Sequence, residues 1–145
     1  MKKSDKPVIV EQEFNTSIED LWTAITHPDH MREWFFENIP AFEAKEGFST
    51  HFNVQTQDRD FLHLWEITEL IPGKKIRYNW KYGGYPGDSF VTFELFERED
   101  KTLLRLTHDV TEDFPEDIPE FSRESCLNGW NYFIKESLDS YMKEL

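Results

Sequence analysis

The sequence has little that would cross-link it covalently or hold it in a membrane. Its 145 residues include one cysteine, Cys126, so no intrachain disulfide is possible, which is typical of a protein in a reducing compartment. The apolar run at residues 8–10 is followed at once by Glu11 and is too short for a signal peptide or a transmembrane helix. We therefore predict a cytoplasmic protein without membrane insertion.

Positive charge is also scarce. The 16 Lys and Arg residues are outnumbered by 29 Asp and Glu residues, which gives a net charge of −13. A surface this acidic repels phosphate backbones and anionic lipid headgroups, so nucleic acid is excluded as a main partner. Carboxylates crowd the segment 112–124, together with Pro115 and Pro119, and we predict a solvated connector there.

No motif for common catalytic or metal chemistry is evident. The serines lack a Gly-x-Ser-x-Gly elbow, and no suitably placed lysine turns the glycines at 83, 84 and 87 into a phosphate-binding loop. His27 and His30 have Asp29 between them, but a metal site needs three or four converging ligands and no further ligand is evident nearby. We predict no catalytic residue, no metal and no cofactor, and we favour a binding protein over an enzyme.

Aromatic residues, in contrast, are abundant. They make up 16% of the chain, with 13 Phe and 5 Trp. Flat apolar rings suit the wall of a ligand pocket. They also fill the cores of sheet-rich proteins, so both interpretations stay open.

The end of the chain carries apolar residues at three- and four-residue steps, which predicts a long amphipathic helix over 122–145. Gly129 lies inside it. A helical glycine costs about 1 kcal/mol relative to alanine, so it indicates a ligand or strand close to the helix backbone, or close helix–sheet packing. The predicted buried face comprises Leu127, Trp130, Ile134, Leu138, Tyr141 and Leu145, with Phe133 beside it.

The remaining sequence predicts one strand, two short helices and then five or six strands. Alternation over 8–14 indicates the first strand, Ser17 is a predicted N-cap for a helix over 18–26, and Pro28 can open a second helix over 28–35. From about residue 48 to 108 the apolar period is two, interrupted by short turns. This order predicts an α+β fold in a single domain, residues 1–145, with an antiparallel sheet closed by the C-terminal helix.

Particular stretches, taken in order, carry a resemblance to a known family. The chain resembles the START-like superfamily with the helix-grip fold, the SRPBCC group. More narrowly it resembles the AHSA-type members, related to the activator of the ninety-kilodalton heat-shock-protein ATPase. The matching stretches are 17–22 (SIEDLW), 24–26 (AIT), 27–28 (HP), Met31, Trp34, Phe35, 65–72 (WEITELIP), 76–80 (IRYNW), 102–108 (TLLRLTH) and 129–130 (GW).

The resemblance implies a curved antiparallel sheet wrapped around a long C-terminal helix. It also implies a cavity between them that often takes a lipid, a sterol, a polyketide or another apolar molecule. Members include carriers, cyclases and co-chaperone modules, and the fold alone does not choose among them. The sequence departs from the pattern at two positions. Trp65 stands where a small residue is common and Cys126 where an aromatic often sits, and both would reshape or shrink the cavity.

Residues on the apolar faces of the predicted elements form the candidate ligand site. His63 and His108 are predicted as polar handles or general acid and base, or else as core histidines hydrogen-bonded within the protein. The aromatic stretch at 34–36 is predicted as a lid, or as packing between the short helices and the sheet. The candidate ligand-binding residues are Phe52, His63, Trp65, Tyr78, Trp80, Phe93, His108, Trp130 and Phe133.

Three functions follow as hypotheses. The first is capture of a small apolar or amphipathic molecule, lipid-like or aromatic, between sheet and helix. The second is a co-chaperone-like module with a role in the stress response, whose acidic surface docks a chaperone-type protein partner. The third is a cyclase- or hydrolase-type enzyme in the same cavity.

Overall fold

The computed structural model describes all 145 residues, from Met1 to Leu145. The six strands, the two short helices and the C-terminal helix follow one another in the predicted order, and a 3₁₀ turn that was not predicted precedes the last helix. The strands are β1 (Val8–Phe14), β2 (Ser49–Gln55), β3 (Asp60–Ile71), β4 (Lys75–Tyr82), β5 (Asp88–Arg98) and β6 (Lys101–Glu112). The helices are α1 (Ile18–Thr26), α2 (Pro28–Trp34), a 3₁₀ turn (Pro119–Phe121) and a C-terminal helix over 123–144.

The strands form one curved antiparallel sheet. Its order is β1-β6-β5-β4-β3-β2, so β2 to β6 make a meander and β1 pairs with the free side of β6. The register places Trp65 opposite Trp80 on β3 and β4, and Val91 opposite His108 on β5 and β6. All four side chains are buried on the inner face, so the predicted period of two is confirmed.

Local sequence signals account for the two short helices. The Ser17 hydroxyl accepts a hydrogen bond from the Asp20 backbone N–H at 3.1 Å, which is the predicted N-cap of α1. Pro28 occupies the first turn of α2, where its missing N–H leaves no hydrogen bond unmade. The Trp34 indole N–H donates to the Ala24 carbonyl oxygen at 2.7 Å and ties the two helices together.

The C-terminal helix is not uniform. It begins as α3 (Arg123–Trp130), widens into a π-helical segment (Asn131–Leu138) and ends as α4 (Asp139–Glu144). Trp130, Ile134 and Leu138 are buried against the sheet, as the periodicity predicts. Leu145 is 68% exposed, and its place on the buried face was predicted wrongly because it lies beyond the last helical residue.

One large apolar core fills the space between sheet and helices, and a smaller cluster lies at one end. The smaller cluster consists of Phe61, Phe114 and Phe121. Two of these rings belong to the acidic segment that was predicted to be a solvated connector. That prediction is wrong for them: Phe114 packs on Gly87, where an added Cβ would lie 2.3 Å from the ring, and Phe121 is 2% exposed. The acidic side chains alternate with rings that fold back onto the sheet.

Candidate functional site

A cavity of about 150 Å³ lies between the inner face of the sheet and the first half of the C-terminal helix. We call it the cavity. Strands β3, β4 and β6 supply one wall, the helix supplies the opposite wall, and the chain end and the 3₁₀ turn border it. Its lining residues are Met1, Phe36, His63, Trp80, Tyr82, His108, Glu120, Ser125, Cys126, Gly129, Trp130 and Phe133.

The structure divides the nine predicted site residues into two groups. Five of them line the cavity: His63, Trp80, His108, Trp130 and Phe133. The other four, Phe52, Trp65, Tyr78 and Phe93, lie in the packed core beside it, each at most 6% exposed. The sheet face was predicted as one continuous pocket wall, but the space over these four rings is occupied by other side chains.

Two phenylalanines just after α2 occupy much of that space. Phe35 stacks on Trp65 at 5.5 Å between ring centroids and meets Phe133 edge-on at 4.9 Å, so it spans the gap from sheet to helix. Phe36 contacts Phe52 and His63 at 5.3 and 5.2 Å between ring centroids. Phe36 also lines the cavity, so this aromatic stretch both packs the core and closes the cavity on one side.

His108 is the centre of a buried hydrogen-bond network. The Trp130 indole N–H donates to His108 Nδ1 at 3.0 Å, so Nδ1 is an acceptor and the ring proton sits on Nε2. Nε2–H then donates to the Ser89 hydroxyl oxygen at 2.9 Å, and the Ser89 hydroxyl donates to the Trp80 carbonyl oxygen at 2.6 Å. Both ring nitrogens are therefore engaged within the protein, and His108 presents its ring to the cavity as wall.

The same network holds Cys126 and Ser89 in their neutral forms. Burial lowers the pKa of His108 from 6.5 to about 3, and burial raises the pKa of the Cys126 thiol to about 12. Cys126 Sγ lies 3.4 Å from His108 Nδ1, which the indole N–H of Trp130 already occupies. The Ser89 proton points to a carbonyl rather than to the histidine. Neither hydroxyl nor thiol has a base free to take its proton.

On the sheet side of the cavity, His63 and Tyr82 are the lining residues with unused hydrogen-bonding capacity, and on the helix side the Ser125 hydroxyl has no protein partner. His63 Nδ1 lies 3.2 Å from the Phe61 carbonyl oxygen, which can only accept, so Nδ1 carries the proton and Nε2 is left as an acceptor without a protein partner. Burial lowers the pKa of His63 to about 4, which keeps the ring neutral at pH 7. The Tyr82 hydroxyl oxygen accepts from the Trp80 indole N–H at 2.9 Å, and its own proton has no acceptor in the protein.

Gly129 faces open space on the helix side of the cavity. A Cβ added there meets no atom within 4 Å, so no strand approaches the helix backbone at this point. The close helix–sheet packing that the sequence left open as an explanation for this glycine is therefore wrong. The remaining explanation, a backbone kept bare beside a space that a ligand can enter, is compatible with its place in the lining.

Charged groups lie at the border of the cavity. The Glu120 carboxylate accepts from Arg59 at 2.9 Å and from the Thr56 hydroxyl at 2.8 Å. The Met1 ammonium donates to the Phe121 carbonyl oxygen. These opposite charges are bound to protein partners. The lining between them consists of aromatic rings, two neutral histidines, a neutral thiol, the Ser125 hydroxyl and the Gly129 backbone.

Sequence reasoning missed several lining residues, and only some carried a usable signal. Tyr82 continues the alternation of Tyr78 and Trp80 along β4, so the period of two could have identified it. Met1 lies outside helices and strands and Glu120 in a single 3₁₀ turn, where no periodicity places a side chain. Phe36 was predicted as part of a lid, and it does line the cavity.

Two further observations bear on function. No group of three or more His, Cys, Asp or Glu side chains converges in a way that could hold a metal ion. None of the helices is both long and apolar enough to cross a membrane.

The fold and the cavity define the class to which the molecule belongs. A six-stranded curved antiparallel sheet, two short helices after the first strand and a long C-terminal helix over a cavity make up the helix-grip arrangement of START-like domains. The sequence model of the family described as Activator of Hsp90 ATPase homolog 1-like protein matches residues 15–143. The chain belongs to this family, as the resemblance predicted.

Solved structures share the fold across nearly the whole chain. Protein CV1439 from Chromobacterium violaceum is 20% identical with a TM-score of 0.78, and the match covers 94% of this chain and 96% of that one. Protein MLL2253 from Mesorhizobium loti is 24% identical with a TM-score of 0.75, covering 96% and 98%.

The Aha1 dimer from Colwellia psychrerythraea is 20% identical with a TM-score of 0.71, covering 95% of this chain and 96% of that one. No curated protein matches the sequence. Family membership supports, in general terms, a ligand-binding or co-chaperone-like domain.

Proposed function

We propose that this protein binds one small apolar or amphipathic molecule in the cavity, and that it does so in the cytoplasm. The observation that carries the proposal is the bare backbone at Gly129. A glycine in the middle of a helix costs about 1 kcal/mol, and no protein atom occupies the space that an added Cβ would take. That space adjoins a cavity lined by aromatic rings. The glycine therefore leaves room for a ligand, whereas it adds nothing to the packing of the helix on the sheet.

The size of the cavity limits what enters it. A volume of about 150 Å³ is that of an engineered cavity known to hold benzene in another protein. The cavity thus takes a single ring or a short branched chain, whereas a sterol or a fatty acid needs several times the space. The driving force is burial of ligand surface against Trp80, Trp130 and Phe133, worth about 25 cal/mol per Å² before ordering costs.

The test is titration followed by NMR, using single-ring compounds, two-ring compounds and sterols. We expect single-ring compounds to shift amide resonances of residues lining the cavity and sterols to shift none. Gly129→Leu places a helix-favouring side chain into the open space and should abolish binding while the helix stays intact. Asn128→Leu, on the exposed face one position earlier, is the matched control. No shift with any compound, or undiminished binding by Gly129→Leu, would contradict the proposal.

Docking to a chaperone-type protein is the second candidate, favoured by the family match and by the charge of −13. Exposed carboxylates at Glu112, Asp113, Glu116 and Asp117 supply an acidic surface beside the cavity. Binding to a purified Hsp90-class chaperone should weaken steeply with added salt, because exposed charges are screened. Capture of a small apolar molecule is insensitive to salt, so the two candidates are separable by one titration series.

An enzyme of the cyclase or hydrolase type in the same cavity is the third candidate from the sequence. The His108 network does not favour it, because the ring has no free lone pair to accept a proton from Ser89 or Cys126. Turnover of a single-ring substrate that is lost in Cys126→Ala, with the fold intact by NMR, would support it nonetheless.

A further inference from the structure

The polar groups of the cavity define which single-ring molecules it accepts, and this inference rests on the proposed function. Only two lining side chains on the sheet, His63 and Tyr82, keep hydrogen-bonding capacity that the protein does not use. His63 Nε2 has no protein partner, and the atom remains accessible within the lining of the cavity. An occupant that displaces water from this nitrogen must supply a donor in its place, because an unpaired acceptor shut off from water is costly.

The two groups have complementary hydrogen-bonding roles, one as acceptor and one as donor. His63 Nε2 can only accept, because the ring proton is on Nδ1 and donates to the Phe61 carbonyl oxygen. Tyr82 can only donate further, because its oxygen already accepts from the Trp80 indole at 2.9 Å. A hydroxyl group both donates and accepts, and so satisfies both. A methyl ether or a tertiary amine lacks the donor that His63 requires.

The two rings are in direct contact. Their centroids are 4.9 Å apart and their planes nearly perpendicular, at 87°. Both rings belong to the cavity lining, so a single occupant borders both. Trp80, at 5.5 Å from His63 between centroids, and Phe133 on the helix then flank the ring that carries the hydroxyl.

The charges around the cavity favour a neutral ligand. Glu120 is a carboxylate at the border. Of the cationic groups nearby, the Arg59 guanidinium pairs with Glu120, the Arg123 guanidinium donates to the Lys6 and Pro7 carbonyl oxygens, and the Met1 ammonium donates to the Phe121 carbonyl oxygen. An anionic head would meet an acceptor nitrogen and a carboxylate, and each of these cations already has a protein partner.

We propose that the cavity recognises a neutral single-ring alcohol of the phenol class, whose hydroxyl donates to His63 Nε2 and accepts from the Tyr82 hydroxyl. The ring lies among Trp80, Trp130 and Phe133. The Cys126 thiol borders the cavity and stays with His108, so it takes no part in the recognition.

Calorimetric titration with four compounds of nearly equal size tests the proposal. Phenol can donate and accept, anisole can only accept, toluene can do neither, and benzoate carries a charge. We expect phenol to bind about tenfold more tightly than toluene or anisole, since one to two net hydrogen bonds correspond to about a tenfold change. Benzoate should not bind detectably.

Ring-conserving variants assign the effect to the two residues. His63→Phe and Tyr82→Phe should each lower phenol affinity about threefold, because each removes one of the two hydrogen bonds, and leave toluene affinity unchanged. Tyr85→Phe, whose ring packs on Phe61 and Phe121 outside the cavity lining, is the matched control. NMR spectra of each variant confirm that it folds.

The outcomes separate this inference from the proposed function. Equal binding of phenol and toluene, or phenol binding that both variants leave unchanged, overturns the recognition of a hydroxyl while the binding cavity stands. Tighter binding of benzoate than of phenol overturns it in favour of the Met1 ammonium. If none of the four compounds binds, the proposed function itself fails and this inference fails with it.

Discussion

Two buried polar atoms have no hydrogen-bond partner, and both belong to rings in the packed core. These are the Tyr78 hydroxyl and the Trp65 indole nitrogen. Burial alone raises the pKa of Tyr78, which fits a hydroxyl surrounded by apolar groups. A buried unsatisfied polar group costs about 1–3 kcal/mol relative to one that is paired. The polar atoms of these two side chains therefore destabilise the folded state.

Tyr78→Phe should therefore leave the protein at least as stable, with a gain of about 1 kcal/mol in the free energy of unfolding measured in urea. Ser89→Ala is the contrasting variant, because it removes a fully buried hydroxyl that accepts from His108 and donates to Trp80. It should cost about 1–3 kcal/mol. A larger loss for Tyr78→Phe than for Ser89→Ala would show that the tyrosine hydroxyl has a partner after all.

The two buried histidines make stability depend on pH. The pKa values of His63 and His108 are lowered to about 4 and about 3, whereas in the unfolded chain they return to about 6.5. The unfolded state thus binds more protons below pH 6.5, so stability is full above that pH and falls as the pH drops towards 4. For His63 the complete difference is on the order of 3 kcal/mol.

Urea unfolding between about pH 7 and about pH 5 measures this effect before most carboxylates titrate. We expect the free energy of unfolding to decrease with falling pH. The slope of this free energy against pH should be smaller in His63→Phe, because unfolding of that variant takes up one proton fewer. An unchanged slope in His63→Phe would mean that this ring is protonated in the folded state.

At the scale of elements, the stretch between α2 and β2 decides how much of the sheet is available to a ligand. Phe36 borders the cavity and contacts Phe52, and it is only half-buried. Phe36→Ala should join the space of the lost ring to the cavity. We expect a loss of about 2–3 kcal/mol in stability, below the usual range for a fully buried phenylalanine, and a gain in affinity for two-ring compounds such as naphthalene.

Phe48→Ala is the matched control for that enlargement. Phe48 is also half-buried and packs on Phe42, away from the cavity lining. It should destabilise to a similar degree without changing ligand size preference in a calorimetric titration. Equal behaviour of the two variants towards naphthalene would show that the Phe36 ring does not limit the cavity.

The sequence predicts those elements whose apolar residues repeat with a regular period, and it does not predict segments without one. Strand alternation and helical spacing predicted the order of the strands and of the three main helices, but not the 3₁₀ turn. Ser17 and Pro28 marked helix starts, because each is a local signal. Periodicity did not indicate that Phe35 and Phe36 would enter the space beneath the C-terminal helix, because they follow a helix end and belong to no repeating pattern. The π-helical widening at residues 131–138 likewise has no signature in the apolar spacing.

The candidate site was predictable only in part for a related reason. Each histidine could be assigned to an inner strand face, but the partners that fix its proton come from other elements. His108 on β6 meets Ser89 on β5 and Trp130 on α3, and this conjunction makes it a wall residue rather than a free acid or base. His63 takes its backbone partner from two residues away on its own strand and so keeps a free nitrogen.

At the scale of the whole molecule, charge is the dominant surface property. A net charge of −13 disfavours the compact state through self-repulsion, and dissolved salt screens that repulsion. Exposed ion pairs such as Lys101 with Glu13, at 3.6 Å, are weakened by salt as well, but each contributes little. We therefore expect sodium chloride to raise the midpoint of thermal unfolding by a few degrees.

Neutralising unpaired carboxylates provides the check. Glu112→Gln combined with Asp117→Asn removes two exposed charges from the acidic segment, and should raise the midpoint at low salt and shrink the response to added salt. A midpoint that falls with salt in the unmodified protein would show that ion pairs outweigh the repulsion.

Two tryptophans lie where their fluorescence should report on a ligand in the cavity. The indoles of Trp80 and Trp130 meet edge-on, 5.5 Å apart between centroids, and both line the cavity. A guest in the cavity changes the polarity around both fluorophores at once. Occupancy of the cavity can thus be followed by intrinsic tryptophan fluorescence without attaching a dye. The Trp22→Phe variant removes the emission of one indole that lies outside the cavity lining.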